Sequence, residues 1–597
     1  MYVDELEKRK EGMARLNMQM NRFDADFTSS MKRTKKPATF FSNKRDDFGN
    51  LIMQSVSVEE ALSDPVKSST SGEKRIYIEG ALNYKRLFGE KHDVNGILVY
   101  SQKETQYQNV DGLKLLPYRK QNLVGRISYG YDSRYMLEGS FGMTGSENFA
   151  EGHRWGIFPA VGAAWYISNE SFIRNHSAAK WLSKLKLRTS YGMTGNDNIG
   201  PSSRFPYREQ LKTNDSGYAF NIPVGSSGGN PSGGNGIVES TFAAPVLSWE
   251  IEKKFNVGVD LGFFDNRIDI TADYFFNRRE DILIQRKIVP KTLGFRVNPW
   301  QNFGIVDNKG LDGSLTLNHQ FGDLKVSARG NITYVRNEIV EYDEVPSKYN
   351  YQNYTGQSIG QPYCYIAEGL YTPDDFTTTT TSTEGYLYEL KADVPKPAAN
   401  VAPGDIKYKD LNGDGLINEY DMTYENGLNS TNPELVYGFG LNLEYKGFFA
   451  GIFFQGVGKT TVNLMSNSNY FMPFIRGVEG GSARMEALSH WSADNPYNQD
   501  VLYPRIHAAK FDHNIEKSTW WYRDGSFLRL KNVEFGYEFS KDMIKKMRMT
   551  NLRLYVQGTN LAVWDNIKLW DPELGNSKSG AKYPLGATWT VGLEVSF

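Results

Sequence analysis

Residues 410–421 read DLNGDGLINEYD. Asp410, Asn412 and Asp414 stand at positions one, three and five of the loop pattern that wraps a calcium ion. Leu416 stands at position seven, where the ligand is a backbone carbonyl, Asn418 at nine and Asp421 at twelve. Gly415 at position six supplies the sharp turn. Carboxylate, amide and carbonyl oxygens suit a hard cation, so these six residues are the candidate ligands of a structural Ca²⁺. Asp421 is one methylene shorter than the glutamate usual at position twelve, which leaves Mg²⁺ open beside Ca²⁺. The competing reading is an Asp/Asn/Gly turn with no ion. The flanks, VAPGDIKYK and MTYENGLNSTNPELVYGFG, are rich in Gly, Pro, Asn and strand formers. Neither is an amphipathic helix, so the loop braces something other than a helix–loop–helix sensor.

Other residue sets carry less. GVGKTT (456–461) mimics the end of a phosphate loop, but Phe453 stands where that pattern needs glycine. The seven histidines, at 92, 153, 176, 319, 490, 507 and 513, form no metal-protease pair. No nucleophile elbow is present, and the sequence suggests no enzyme. Trp520, Trp521 and Tyr522, in STWWYRDGSF, are candidate substrate contacts, since sugar faces and peptides pack on aromatic rings. The alternative for them is an interfacial girdle or packing within a loop. YNYQNYTGQSIGQPYCYI (349–366) and SNSNYFMPF (466–474) are similarly aromatic and polar. Cys364 is the one cysteine, so no disulfide forms within the chain. A formal net charge of −1 gives no field for nucleic acid.

These residues must be positioned by strands. In LGATWTVGLEVSF (585–597), Leu585, Ala587, Trp589, Val591, Leu593, Val595 and Phe597 share one parity, and Gly, Thr, Glu and Ser fill the other. Phe255, Val257, Val259, Leu261 and Phe263 repeat the pattern, turn at Asp265–Asn266, and return through Ile268, Ile270, Ala272, Tyr274 and Phe276. Similar hairpins turn at 132–134 and at Lys446–Gly447, and a parity shift near Asn532 predicts a bulge. Counting such segments gives about fifteen long strands. The first falls at 74–87 and the last at 585–597. Short turns alternate with long polar loops at 196–249, 340–434, 463–525 and 565–584. That asymmetry, with 14% aromatic residues, predicts an all-β fold, a transmembrane antiparallel β-barrel. Soluble sandwiches and propellers have shorter and more evenly spaced strands. Residues 1–73 are read as loop with a short helix at 4–20, and 74–597 as barrel. The start has no apolar signal segment, and no run of about 18 apolar residues makes a membrane helix.

The segments 122–172, 182–200, 247–283, 404–421, 432–459, 524–539 and 552–564 resemble, in order, the barrel of SusC/RagA-type TonB-linked outer-membrane proteins. NLVGRISYGYDSRYMLEGSFGMTG, LSKLKLRTSYGMTGNDNIG and GDIKYKDLNGDGLINEYD are among the matching runs. The resemblance implies a barrel of about 22 strands, of which this chain would hold about fifteen, with the plug domain absent from it. It implies import of oligosaccharides or peptides with a SusD-like surface lipoprotein, driven by TonB through the plug region. It implies residence in the lipid bilayer of a Gram-negative outer membrane. TVGLEVSF resembles the C-terminal signal read by the outer-membrane insertion machinery, with Gly592, Val595 and Phe597 at its spacing. The alternatives are a calcium-stabilised surface or adhesin barrel and a non-transporting remnant.

Overall fold

The computed structural model describes residues 11–597 except 31–32, 46–50, 63–65, 109, 111, 199–203, 216–235, 295–296, 383–384, 475–483, 508–509 and 546–547, with side chains from residue 72 onward save at 178, 213–215, 236, 378–387, 469–470, 542 and 545. Sixteen strands share one sheet and follow one another in chain order. They are β1 (Glu11–Ser30), β2 (Val66–Phe88), β3 (His92–Gln108), β4 (Tyr118–Tyr131), β5 (Tyr135–Ser146), β6 (Trp155–Tyr166), β7 (Leu182–Asn196) and β8 (Glu250–Phe263). There follow β9 (Ile268–Gln285), β10 (Trp300–Phe321), β11 (Leu324–Glu341), β12 (Leu435–Tyr445), β13 (Phe448–Gly458), β14 (Phe527–Glu538), β15 (Asn551–Asp565) and β16 (Thr588–Ser596). The fifteen segments predicted from periodicity are β2 to β16.

The sixteenth strand corrects the reading of the N-terminal region. Residues 4–10 of the expected helix lie outside the described residues, and Glu11–Ser30 is a strand. Ala14, Leu16, Met18 and Met20 alternate with Arg15, Asn17, Gln19 and Asn21, which is a period of two rather than 3.6. This run pairs antiparallel with β2, Ala14 facing Leu82 and Met20 facing Ile76. The ladder runs along most of the strand, with register shifts between Asn21 and Asp24 and between Thr28 and Ser29. A second hairpin, Arg33–Arg45 with Leu51–Leu62, occupies most of the rest of the region read as loop.

By contact density the chain forms two compact units. One comprises 1–129, 138–159 and 195–249, the other 130–137, 160–194 and 250–597. In the first, Phe149 is fully buried against Trp249, with ring centroids 5.4 Å apart, and Phe158 packs on the same indole. Arg204 stacks on Tyr118 and donates to Glu147 and to the carbonyls of Leu113, Leu116 and Pro117, which ties that unit's connecting segments together.

In the second unit the hairpins are tight for a stereochemical reason. Tyr445 pairs with Phe448 and Phe321 with Leu324, so each turn has two residues. Lys446 and Gly447 both have positive φ, the left-handed geometry that matches the strand twist. Along β8 to β12 the apolar parity is exposed, at Val257, Tyr274, Leu311, Ile332 and Phe439. The other parity carries paired charge. Arg188 donates to Asp260 at 3.0 Å and to both oxygens of Asp273 at 2.9 and 2.8 Å, linking β7, β8 and β9. One apolar face and one polar, ion-paired face are what a sheet between lipid and a wet lumen requires. The predicted bulge lies at Lys531, between the pairs Phe453–Asn532 and Phe454–Leu530.

Candidate functional site

The three longest loops of the second unit, 342–434, 459–526 and 566–587, are not independent. Their side chains make one hydrophobic core. Ile406, Leu464, Phe471, Tyr503 and Trp521 are 0–1% exposed within it, and Ile567 joins from the last loop. Short strand pairs stiffen the module: Ala367–Leu370 with Ile406–Tyr408, and Thr461–Asn463 with Tyr522–Asp524. Arg529, buried at the start of β14, reaches Asp571 at 2.6 Å and Glu573 at 2.7 Å, which moors 566–587 to the sheet.

This core corrects the reading of Trp521 and Tyr522 as substrate contacts, while Trp520 stays half-buried. Trp521 has no exposed surface, and its Nε1 donates to the Asn514 carbonyl at 2.9 Å. Tyr522 is buried as well, and Trp520 packs on the same core with its Nε1 on the Leu502 carbonyl. A ring with both faces covered offers nothing for a ligand to stack on, so packing won over ligand contact. The tyrosines of 349–366 are only half-buried. Tyr349 stacks on Tyr351 with centroids 5.2 Å apart, Tyr420 meets Tyr349 edge-on, and the Lys348 ammonium lies about 5 Å from both Tyr349 and Tyr420.

The 410–421 loop lies against these tyrosines. Gly413 and Gly415 have φ of 74° and 79°, so position six takes the turn that its glycine permits. Asp410 accepts the Gly413 and Gly415 amides at 2.7 and 2.8 Å. Asn412 and Asp414 each accept the amide two residues on, and Asn418 accepts that of Tyr420. Asp421 is fully buried and accepts the Leu411 and Asn418 amides, both at 2.9 Å. Burial, aided by the charge of Asp410, holds the Asp421 carboxyl above its ordinary range despite those donors. Among the described residues Asp421 has no ion pair, and no three Asp, Glu, His or Cys side chains gather as a metal-holding group. The exterior of the loop is tied in from three sides. Lys396 N–H donates to the Gly415 carbonyl, Tyr351 to that of Tyr420 and Gln352 to that of Glu419, while Ile417 enters the core.

A feature not anticipated from the sequence joins 402–408 to 505–514. Asp405 is completely buried and its carboxylate accepts five hydrogen bonds. Arg505 Nε and Nη2 donate at 3.1 and 2.7 Å, His507 Nε2 at 2.9 Å, Asn514 Nδ2 at 2.9 Å and Ala402 N–H at 2.8 Å. Burial works to raise the Asp405 carboxyl, but His507, Arg505 and the Ala402 amide outweigh it and hold it below its ordinary value. A signal existed in GDIKYK, an acid before a strand-forming run, but its partners lie about a hundred residues downstream. Cys364 is buried beside Asn426, and burial pushes its thiol up to about 12, so it is inert at neutral pH.

At the opposite end of the sequence pattern, Gly592 faces Tyr555 across β15–β16. A Cβ there would fall 2.2 Å from the tyrosine ring. Val595 pairs with Leu552, and Phe597 follows the strand with its side chain exposed. The three residues of the predicted insertion signal thus end one exposed strand.

The family model for TonB-dependent receptor-like β-barrels matches residues 78–561. The chain is 27% identical over 561 residues to TonB-dependent receptor P3 of Formosa agariphila, covering 88% of this chain and 51% of that protein. It is 26% identical to TonB-dependent receptor SusC of Bacteroides thetaiotaomicron, covering 79% of this chain and 43% of that one. It therefore spans about half the length of these relatives. The solved structure of the RagAB peptide transporter shares its fold, with a TM-score of 0.66 at 24% identity, over 88% of this chain and 56% of that one. The matched residues take in the alternating strands and most of the loop module, and the chain belongs to the TonB-dependent receptor-like β-barrel family of the Gram-negative outer membrane.

Proposed function

We propose that the chain is the barrel part of a TonB-dependent importer of oligosaccharides or peptides, working with a SusD-like surface lipoprotein and with TonB acting through a plug region. The observation that carries this is the loop module. Long loops of a membrane barrel are costly to order, and here three of them are ordered around a shared core. A rigid, broad outer surface serves capture or docking of a large partner better than it serves a passive pore. The similarity to proteins named as TonB-dependent receptors, and to a peptide transporter, supports the same reading. Two measurements test it. Deleting the gene should abolish uptake of the labelled oligosaccharide or peptide that the cells consume, and the tagged chain should bring down a surface lipoprotein from outer membranes. Unchanged uptake of both substrate classes would overturn the proposal.

The 410–421 loop, in this proposal, holds a structural Ca²⁺ through Asp410, Asn412, Asp414, the Leu416 carbonyl, Asn418 and Asp421. The spacing, the left-handed Gly415 and a buried Asp421 with no cationic partner among the described residues support the site. The carboxylates now turned onto amides would have to converge on the ion. Bound there, the ion would offset the charge of Asp410, Asp414 and Asp421 and fix the loop against Lys396, Tyr351 and Gln352.

A further inference from the structure

Two segments about a hundred residues apart meet at a joint with an unusual protonation requirement. Asp405 takes five donors, as described. Beside it, Ile406 gives its N–H to Asn514 Oδ1 at 3.0 Å, and its carbonyl accepts from His513 Nε2 at 2.7 Å. Tyr408 donates its hydroxyl to the His513 carbonyl at 2.5 Å. The hydrogen bond to Ile406 fixes the His513 proton on Nε2. Nδ1 is then the only place for a second proton. The His513 ring is buried between Tyr408, centroid 4.8 Å away, and Phe511, centroid 5.9 Å away. Phe511 in turn stacks on His507 at 4.0 Å.

We propose that this joint is an acid-released latch: protonation of His513 frees 505–515 from 402–408 and lets the loop module open.

The charged and titratable groups around it decide the direction. Asp405 favours the imidazolium, while His507 on the neighbouring segment opposes it. Tyr371 and Tyr408 are buried phenols held neutral by their surroundings. Lys407 is closed on Asp375 at 2.8 Å and Lys510 on Asp512 at 2.5 Å, so neither is free to compensate. Burial is the largest influence on His513 and holds its imidazole below the ordinary 6.5, against the pull of the Ile406 carbonyl and Asp405. The open form therefore takes up the proton first. The latch is at full strength above pH 6.5 and weakens as pH falls from 6.5 toward the lowered value. Asp405 behaves in the reverse sense. Its lowered carboxyl stays ionised throughout that window, so its grip on Arg505 and His507 is lost only in stronger acid. Of these two, His513 responds first.

The full chain in detergent tests the proposal. Between pH 7.5 and 5.5, proteolysis within 503–515 should quicken about fivefold or more, scaled to a substrate control. Emission from Trp521, whose indole donates to the Asn514 carbonyl, should shift to the red. In His513→Gln, which keeps a donor for Ile406 but does not titrate, the step should vanish. An identical step in His513→Gln, or no step in the unmodified chain, overturns the latch. Should the variant not fold, hydrogen exchange of the 503–515 peptides in the unmodified chain decides alone, because a latch requires their corrected protection to fall in the same pH window.

Discussion

A tryptophan in a long loop of a barrel invites a ligand role, and Trp521 shows how packing can defeat that inference. Its ring meets Phe471 edge-on and lies 6.2 Å from Tyr503, both themselves buried. Trp521→Ala should therefore cost the loop module about 3–5 kcal/mol through the cavity it leaves. Limited proteolysis of 463–525 in the folded chain would show it as earlier cleavage. Trp520→Ala should cost less, since that ring is only half-buried. A variant Trp521→Ala that kept its resistance would remove Trp521 from the core. The sequence WWY could not distinguish these outcomes, because what buries Trp521 comes from residues 406, 471 and 503 rather than from its neighbours. For the same reason Asp405 read as one more loop acid. Its partners Arg505 and His507 lie a hundred residues on, and no local spacing connects them.

At the scale of elements, the sequence is far more legible. Period two over ten or more residues is a local signal, so β2 to β16 were predicted close to where they stand. The exception is β1, where 4–20 was read as a short helix although Ala14, Leu16, Met18 and Met20 alternate with polar residues. Within the strands, glycine has a use that alternation does not reveal. Gly592 leaves room for Tyr555 to lie across β16, much as Gly536 does for Phe449 on β14. Gly592→Val should push that ring aside and disturb pairing along the last strand. The yield of barrel that keeps its compact mobility on unheated gels should fall several-fold. Pairing the change with Tyr555→Ala should restore part of the loss, since the clash is then gone. Equal losses in the single and double variants would show that the ring is not the cause. The charged parity predicts a second effect. Arg188→Met leaves Asp260 and Asp273 facing each other without their shared cation. Because the group is partly solvated, the loss should be about 2–3 kcal/mol rather than the full value for a buried pair, read as a lower midpoint of thermal unfolding in detergent.

Over the whole molecule, the long loops were legible as loops and illegible as a module. Each of 340–434, 463–525 and 565–584 looks polar and irregular by itself, and their common core appears only when all three are folded. That arrangement gives the 410–421 loop its leverage. Ile417 sits in the shared core, while the loop's outer face holds Lys396, Tyr351 and Gln352 through its carbonyls. An ion that fixes 410–421 would therefore act on the module, not on twelve residues. Chelation with EGTA should expose sites within 340–434 first and within 463–525 soon after, and added Ca²⁺ should reverse both. Asp410→Ala should weaken Ca²⁺ at least tenfold by removing the first ligand, whereas Asp393→Ala, a change in the same loop but outside 410–421, should leave it unchanged. Asp421→Glu separates the two cations. The longer carboxylate reaches a large ion with both oxygens, so it should favour Ca²⁺ over Mg²⁺ relative to the parent. If chelation leaves cleavage unaltered while Asp410→Ala still loosens 340–434, then the amide contacts of Asp410, and not an ion, hold the brace together.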